Sequence, residues 1–335
     1  MLNTSDPMQL IIDTAQTSLS VRGKCFYIEK ESLARKINPQ RVSSIAIHTN
    51  CTLSANVIRL AAQHQIPLLF FHSLGKLQAR LWSPYFANTA ALRKKQLVFA
   101  DSPQATLWVI RLLQVKTAEQ IKNLRQLARR QPAQMTSVEE STERIQHSCD
   151  KMEQWAQLPP KEVRHHLMGL EGAISRTYFQ SLQVFMPPGF AFAKRSRRPA
   201  LDPFNAALNY LYGMTYPVVE SGIFAKGLDP AIGLLHTDAH QQATLAYDLI
   251  EPIRPLIDRL LVQLIQNKQL STQDFVKKAT GHRIRKAGKR QLISAFNKCL
   301  HQRMSLDQQV RRLKDHIYGL SHQLAHHLQS PKQTP

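Results

Sequence analysis

Ser18-Leu19-Ser20-Val21-Arg22-Gly23-Lys24-Cys25-Phe26-Tyr27-Ile28 decides the first half of the fold. Two short runs rich in apolar, branched and aromatic residues stand on either side of Gly23, the pattern of strands joined by a tight turn. Outward from it, Leu10-Ile11-Ile12 precedes, and Val42 to His48 follows with a loose alternation of apolar and small polar residues. Both read as strands. Thr52 or Ser54 is placed to cap a helix carrying Val57, Ile58, Ala61 and Ala62 on one side. Leu68-Leu69-Phe70-Phe71 behind Pro67 reads as a buried strand, and Gly75 opens a last one toward Trp82.

Beyond about residue 86 the pattern turns to long helical segments, broken at Gln131 to Val138 where Pro132 separates one helix from the next. The expected fold class is therefore α+β. A small amino-terminal β-rich domain covers residues 1–85, a larger all-helical domain covers 86–330, and a tail at 331–335 is expected to fray.

The 335 residues include 43% apolar ones, an ordinary globular share that excludes wholesale disorder. Charge is the anomaly: 44 Lys and Arg stand against 23 Asp and Glu, a formal net charge of +21. Residues 1–85 hold nine basic and four acidic side chains, and the rest of the chain holds 35 and 19. Such an excess repels itself unless a polyanion neutralises it, which points to nucleic acid. An anionic membrane surface is the competing polyanion. No apolar run approaches the ~18 residues of a spanning helix, and residues 1–30 lack a basic-then-apolar leader, so the expectation is a soluble cytoplasmic protein. Cys25, Cys51, Cys149 and Cys299 lie far apart without a CxxC pair, which argues against a zinc knuckle or a disulfide framework.

Three basic clusters concentrate the charge. Lys122, Arg125, Arg129 and Arg130 fall on one helix face. Lys194, Arg195, Arg197 and Arg198 form a knot before Pro199. Between Asp274 and Asp307 no acidic residue occurs, yet Lys277, Lys278, Arg283, Arg285, Lys286, Lys289, Arg290, Lys298 and Arg303 do. Any one cluster reads equally well as a solvated helix face; together they suit a phosphate backbone, with affinity that falls steeply with salt. With 7% aromatic residues and no RNP-like motif, DNA is weakly favoured over RNA.

Against this background the acidic exceptions need explaining. Glu171 shares a helix face with Ser175 and Tyr178, and is flanked by Gly169 and Gly172, which suggests a close backbone approach. An ion pair with Arg176 or another neighbour is its commoner fate. His236 follows Gly233-Leu234-Leu235, with His240 four residues on but no HExxH glutamate, so a zinc-protease reading is poor. Asp248 and Glu251 would share a helix face and repel unless a cation joins them or Arg254 and Arg259 pair with them, and Pro252 ends or kinks that helix. One imidazole with two or three carboxylates suits a hard divalent ion, Mg²⁺ or Mn²⁺, and such an ion beside cationic surface equips a protein for phosphodiester chemistry.

Leu170-Glu171-Gly172 with Tyr178, Arg197-Arg198-Pro199 through Asp202-Pro203-Phe204-Asn205-Ala206, Leu208-Asn209-Tyr210-Leu211-Tyr212, Gly227-Leu228-Asp229-Pro230, Gly233-Leu234-Leu235-His236 and Leu245-Ala246-Tyr247-Asp248-Leu249-Ile250-Glu251 occur in one order over about residues 165–260. Arg254-Pro255 and Asp258-Arg259 follow. This series resembles the CRISPR adaptation integrase family. The resemblance implies an amino-terminal β domain serving dimerisation and DNA contact, a helical catalytic domain, a homodimer, and partnership with the small second Cas protein. It implies insertion of double-stranded or branched prespacer DNA into a CRISPR repeat by 3′-OH transesterification. By motif position Glu171, His236 and Glu251 match metal ligands for Mg²⁺ or Mn²⁺, Asp248 a supporting acidic position, and Tyr178 a tyrosine near the reaction centre. Lys194, Arg195, Arg197, Arg198, Arg283, Arg285, Lys286, Lys289 and Arg290 are the expected DNA contacts. A structure-selective nuclease and a non-catalytic DNA-binding scaffold are the rival readings.

Overall fold

Gly23 and Lys24 turn the chain with positive φ, +56° and +58°. A two-residue hairpin between right-twisted strands requires this geometry. The computed structural model describes residues 8–31, 33–71, 77–81, 89–236 and 242–330, so the sequence features at Gly75, Trp82, His240 and 331–335 lie outside the described residues. The chain divides into two units, Met1–Ala87 and Asn88–Pro335.

The first unit runs β1 (Met8–Ile12), β2 (Thr17–Arg22), β3 (Cys25–Lys30), β4 (Leu33–Ile37), β5 (Val42–Ile47), β6 (Cys51–Leu53), α1 (Ala55–Gln63), β7 (Leu68–Phe71) and β8 (Leu77–Leu81). Two four-stranded sheets result, in the orders β4-β3-β2-β6 and β1-β5-β7-β8. Parallel pairing of β5 with both β1 and β7 explains why Leu68 and Leu69 are both buried, since central strands covered on both faces need not alternate. Leu19, Phe26, Ile45, Val57, Leu60 and Leu68 fill this core. Leu60 faces inward, whereas Ile58, assigned to the buried side from sequence, is exposed. The strands β4 and β6 escape sequence reading because β4 is exposed along most of its length and β6 has three residues.

The second unit contains α2 (Thr89–Ala100), α3 (Pro103–Ala128), α4 (Met135–Asp150), α5 (Pro160–Gln183), α6 (Pro203–Ala225), α7 (Thr244–Leu249), α8 (Arg254–Gln266), β9 (Phe275–Lys278), β10 (Gly281–Ile284), α9 (Lys286–His301), β11 (Arg303–Leu306), β12 (Gln309–Arg312) and α10 (Leu313–Gln329). It is predominantly helical but not wholly so: β9–β10 and β11–β12 are antiparallel hairpins. Strands of four residues are too short to establish an alternation in the sequence. The second hairpin turns through Asp307 and Gln308 at positive φ, without the glycine that would have announced it.

The 26-residue α3 packs against α4, α5 and α8, and buries Val109, Ile110, Leu113 and Leu124. Two of the four residues on its basic face pair with carboxylates of the fold. Arg125 forms a bidentate pair with Glu139, Lys122 reaches Glu119, and Arg130 reaches Gln266. This cluster follows the solvated-face reading. All four cysteines are free, with Cys149 and Cys299 in the core, where burial pushes the Cys299 thiol up to about 12. Among the described residues no helix is long and apolar enough to cross a membrane.

Candidate metal centre and its basic surround

Glu171 on α5 and Glu251, 80 residues later, meet at one cation. The Lys116 ammonium, from the middle of α3, contacts Glu171 Oε1 and lies 2.7 Å from Glu251 Oε2. Lys116 and Glu251 are buried, while Glu171 keeps about a third of its side chain exposed. Ser175 Oγ, one turn on, donates to Glu171 Oε1 at 2.7 Å. The Arg254 guanidinium takes the other oxygen of Glu251 at 2.8 Å and donates to Tyr216 Oη at 2.8 Å. Burial alone would raise the Glu251 carboxyl, but Arg254 and Lys116 overcome it and hold the group down at about 2. Burial would likewise discharge Lys116; Glu251 and Glu171 reverse that and raise it above its ordinary value.

Local backbone structure places Glu251. The helix α7 stops at Leu249, and Glu251-Pro252-Ile253 forms a separate 3-10 turn. Proline opens such a turn at no loss, because its missing N–H would have been unpaired there. Asp248 and Glu251 therefore do not share a helix face, as their spacing suggested, and they serve different partners. Asp248 is 3% exposed and collects the backbone N–H groups of Leu234, Leu235 and His236 at 2.6, 3.2 and 3.2 Å. Its Oδ1 also lies 2.7 Å from His236 Nδ1. A carboxylate only accepts, so Nδ1 carries the proton and Nε2 presents its lone pair.

The loop before His236 is held from two helices. Gln96 on α2 binds Asp229 N and the carbonyls of Asp229 and Ile232; Arg164 on α5 donates to Leu235 O at 2.5 Å. A Cβ at Gly233 would meet His236 O at 2.5 Å, so only glycine allows the loop to close on itself. His236 packs edge-on against Tyr247, Tyr247 against Tyr216, and Tyr216 against Arg254, closing a circuit back to Glu251. A proton added to His236 would act on Glu251, so the ring lies within electrostatic reach of that carboxyl. Among the described residues, however, no group of three His, Cys, Asp or Glu side chains is gathered closely enough to hold an ion as it stands. The structure brings Glu171 and Glu251 together around a cation and sets His236 beside them, outside that grip. Two carboxylates already converged on a positive charge fit a hard divalent ion in donor type and charge.

Three residues or pairs have surroundings of their own. Tyr178 is fully buried in the core and accepts from Asn123 Nδ2 at 3.1 Å. It does lie on the face of α5 that carries Glu171, but two turns deeper. Gly169 and Gly172 flank open space, so no close backbone approach explains them. Arg195, expected on DNA, spends its guanidinium on Asn205, on Asn209 at 2.9 Å and over the rings of Phe179 and Tyr212.

The remaining basic residues gather on a loop and a hairpin that touch each other. Asn205 and Asn209 on α6 grip the carbonyls of Lys194, Ser196 and Arg197, which leaves Lys194, Arg197 and Arg198 exposed. Burial raises the Tyr247 phenol above its ordinary value, and Arg198 and Arg197 lie near enough to oppose that rise. The hairpin β9–β10 docks on this loop: His282 N donates to Ala200 O at 2.7 Å. Two clusters far apart in sequence, 194–198 and 277–290, thus adjoin. Arg283, Lys286 and Arg290 are exposed, Lys289 lies over Tyr210, and Arg285 is partly tied to Phe275 O at 3.1 Å. Gly281 makes the docking possible, since a Cβ there would stand 2.4 Å from Ala200 O at φ +128°. Gly281→Val is expected to separate the hairpin from the loop, read as faster amide exchange at His282, whose N–H donates to Ala200 O. Unchanged protection at His282 would show that the docking does not depend on Gly281.

Beneath the site Asp258 accepts from Tyr212 Oη and is almost fully buried. Burial pushes its carboxyl up to about 6, against the pull of Tyr212, Arg195, Arg254 and Lys116. The folded state thus retains a proton that the unfolded chain releases near pH 4, and stability falls as pH rises between those values. The penalty is complete above pH 6, at about 2–3 kcal/mol. Asp258→Asn, which still accepts from Tyr212, is expected to raise the melting temperature by roughly 5 °C at pH 8 and to leave it unchanged at pH 4. A loss equal at both values would contradict this.

Comparison with known proteins accords with this geometry. Residues 10–298 match the family described as CRISPR associated protein Cas1. The chain belongs to the Cas1 family. Among its relatives, CRISPR-associated endonuclease Cas1 2 of Rhodospirillum rubrum is 31% identical over 283 residues, 82% of this chain and 79% of that protein. CRISPR-associated endonuclease Cas1 1 of Archaeoglobus fulgidus is 26% identical over 81% of this chain and 82% of its own. In fold, a Cas1 protein from Thermotoga maritima superposes with a TM-score of 0.77 at 20% identity, covering 97% of both chains. A casposase bound to integration product gives 0.81 at 22% identity, over 98% of this chain and 92% of the casposase. The Cas1 fold is thus the β-rich unit followed by the mainly helical one, and the carboxylate pair lies in the helical unit.

Proposed function

We propose that this chain is a metal-dependent DNA integrase that inserts prespacer DNA into a CRISPR array by 3′-OH transesterification. The observation that carries the reading is the meeting of Glu171 and Glu251 at one cation, beside an exposed basic surface that runs from Arg197 to Arg290. Family membership supports it, as do the endonuclease names of the relatives and the likeness to a casposase bound to integration product.

In the reaction the prespacer 3′-oxygen forms a bond to a repeat phosphorus and gives up its proton, while the repeat strand's P–O3′ bond breaks and that oxygen is protonated. One phosphodiester replaces another, so no external energy source is needed. When bound, Mg²⁺ or Mn²⁺ would supply charge stabilisation at the phosphoryl oxygens. Glu171 and Glu251 would hold that ion, and His236, its Nδ1 fixed by Asp248, would offer Nε2 as a further donor. Lys194, Arg197, Arg198, Arg283, Lys286, Lys289 and Arg290 hold the DNA backbone without reading its sequence. Arg254 keeps Glu251 ionised and Arg195 braces the basic loop, both as positioning residues. We further propose a cytoplasmic homodimer working with a Cas2 protein, with the amino-terminal unit serving dimerisation and DNA contact; the fold is shared with the Cas1 portion of a Cas6-RT-Cas1–Cas2 complex at a TM-score of 0.78 and 21% identity, over 98% of this chain and 35% of that one.

The test is strand transfer between a short duplex and a supercoiled repeat plasmid in Mn²⁺, with the junctions sequenced. Joined half-site products support integration. Shortened or nicked DNA alone supports a structure-selective nuclease, and DNA binding without either product supports a scaffold.

A further inference from the structure

Lys116 lies at the centre of the candidate site, yet nothing in the sequence motifs points to it. It sits on α3, more than 50 residues before Glu171, and is 3% exposed. Burying an ammonium is expensive unless carboxylates surround it, and here two do, Glu171 and Glu251. With Arg254 on the far oxygen of Glu251, the group contains two carboxylates and two cations. It is electrically neutral as built. A divalent ion added to that set leaves it at +2 in a largely buried place, and the ion competes for the gap that the ammonium fills. Charge balance therefore requires either that the ammonium leave or that an anion enter with the metal. A DNA phosphate serves both ends: its single negative charge offsets half of the excess, and it gives the displaced ammonium a partner within reach of its four-carbon stem.

We propose that Lys116 is a further catalytic residue, the counter-ion of the Glu171–Glu251 pair without metal, which yields the gap to the divalent ion and turns onto a DNA phosphate. The proposal rests on the metal-centre reading of that pair. It makes metal and DNA binding mutually reinforcing, because each relieves the charge the other imposes.

The probe is Mn²⁺, titrated by isothermal calorimetry into the full chain with and without a short duplex. Lys116→Met is expected to bind Mn²⁺ at least tenfold more tightly than the unaltered protein without DNA, and to gain less from adding the duplex. Equal or weaker Mn²⁺ binding by Lys116→Met overturns the exchange. Should that variant not fold, the unaltered protein answers through the ¹⁵N resonance of the Lys116 ammonium. Its two ion pairs give a slowly exchanging signal in EDTA, expected to shift on saturation with Mg²⁺, and an unmoved signal overturns the exchange. Glu251→Gln separates the two ideas. Mn²⁺ binding that depends on Glu251 but not on Lys116 ends only the exchange, whereas Mn²⁺ binding indifferent to Glu251 ends the metal-centre reading and the exchange with it.

Discussion

Glu171→Gln is expected to lower strand transfer at least ~10³-fold while the fold and the metal-free DNA affinity survive. The amide keeps the shape of the side chain and can still accept from Ser175, but it removes a charge from the pair that grips the cation. Metal stabilisation of charge on a transferring phosphoryl group contributes several kcal/mol, and about 4 kcal/mol corresponds to the thousandfold loss. Glu171 is the suitable position because its side chain is partly exposed, so the substitution leaves the core intact. In EDTA, where no metal contributes, anisotropy with a prespacer duplex should return near-native affinity, since the Arg197–Arg290 surface is untouched. Retained strand transfer in Glu171→Gln would remove Glu171 from the centre.

The second large effect is on stability. Glu251 is buried between Lys116 and Arg254, and its loss leaves two buried cations facing each other. Removing one partner of such a set costs about 3–5 kcal/mol, so Glu251→Ala should melt roughly 10 °C lower at neutral pH. The effect carries a pH signature. The carboxyl is depressed to about 2 in the folded protein, below its ordinary value near ~4.3. Its contribution is therefore fully present above the ordinary value and is lost as pH falls toward 2, by about 3 kcal/mol. The gap in melting temperature between the unaltered protein and Glu251→Gln should accordingly narrow as pH falls from 5 to 2. A gap constant over that range would mean that Glu251 stabilises by packing alone.

Much of the fold was legible because strong local signals agreed with it. Gly23 marks the first hairpin, Pro132 separates α3 from α4, and Ser54 precedes α1. The misses have physical causes. Hairpins β9–β10 and β11–β12 are too short to leave a pattern, and β4 buries too little to show one. For the site, spacing alone suggested that Asp248 and Glu251 act together, whereas the break between α7 and the Glu251 turn gives one to His236 and the other to Lys116. Tyr178 shares the α5 face of Glu171 but is fully buried, a depth that helical periodicity cannot resolve. Lys116 was missed because one lysine among 44 basic residues carries no signal until its partners are located. Gln96 and Arg164, which hold the His236 loop, were missed for the same reason.

The role of Asn205 and Asn209 also became clear only in three dimensions. Their motif reads as a run of conventional helix residues, yet their amides fasten the basic loop to α6. Arg195 completes that fastening, which is why one arginine of the knot is withdrawn from solvent while its neighbours stay exposed.

The most direct measurement is anomalous diffraction from a crystal of this protein soaked in Mn²⁺. A peak in the gap between the side chains of Glu171 and Glu251, with His236 Nε2 turned to it and the Lys116 ammonium gone from its place, is the result expected. A peak elsewhere in the molecule, with Lys116 still bridging both glutamates at saturating Mn²⁺, would contradict the account.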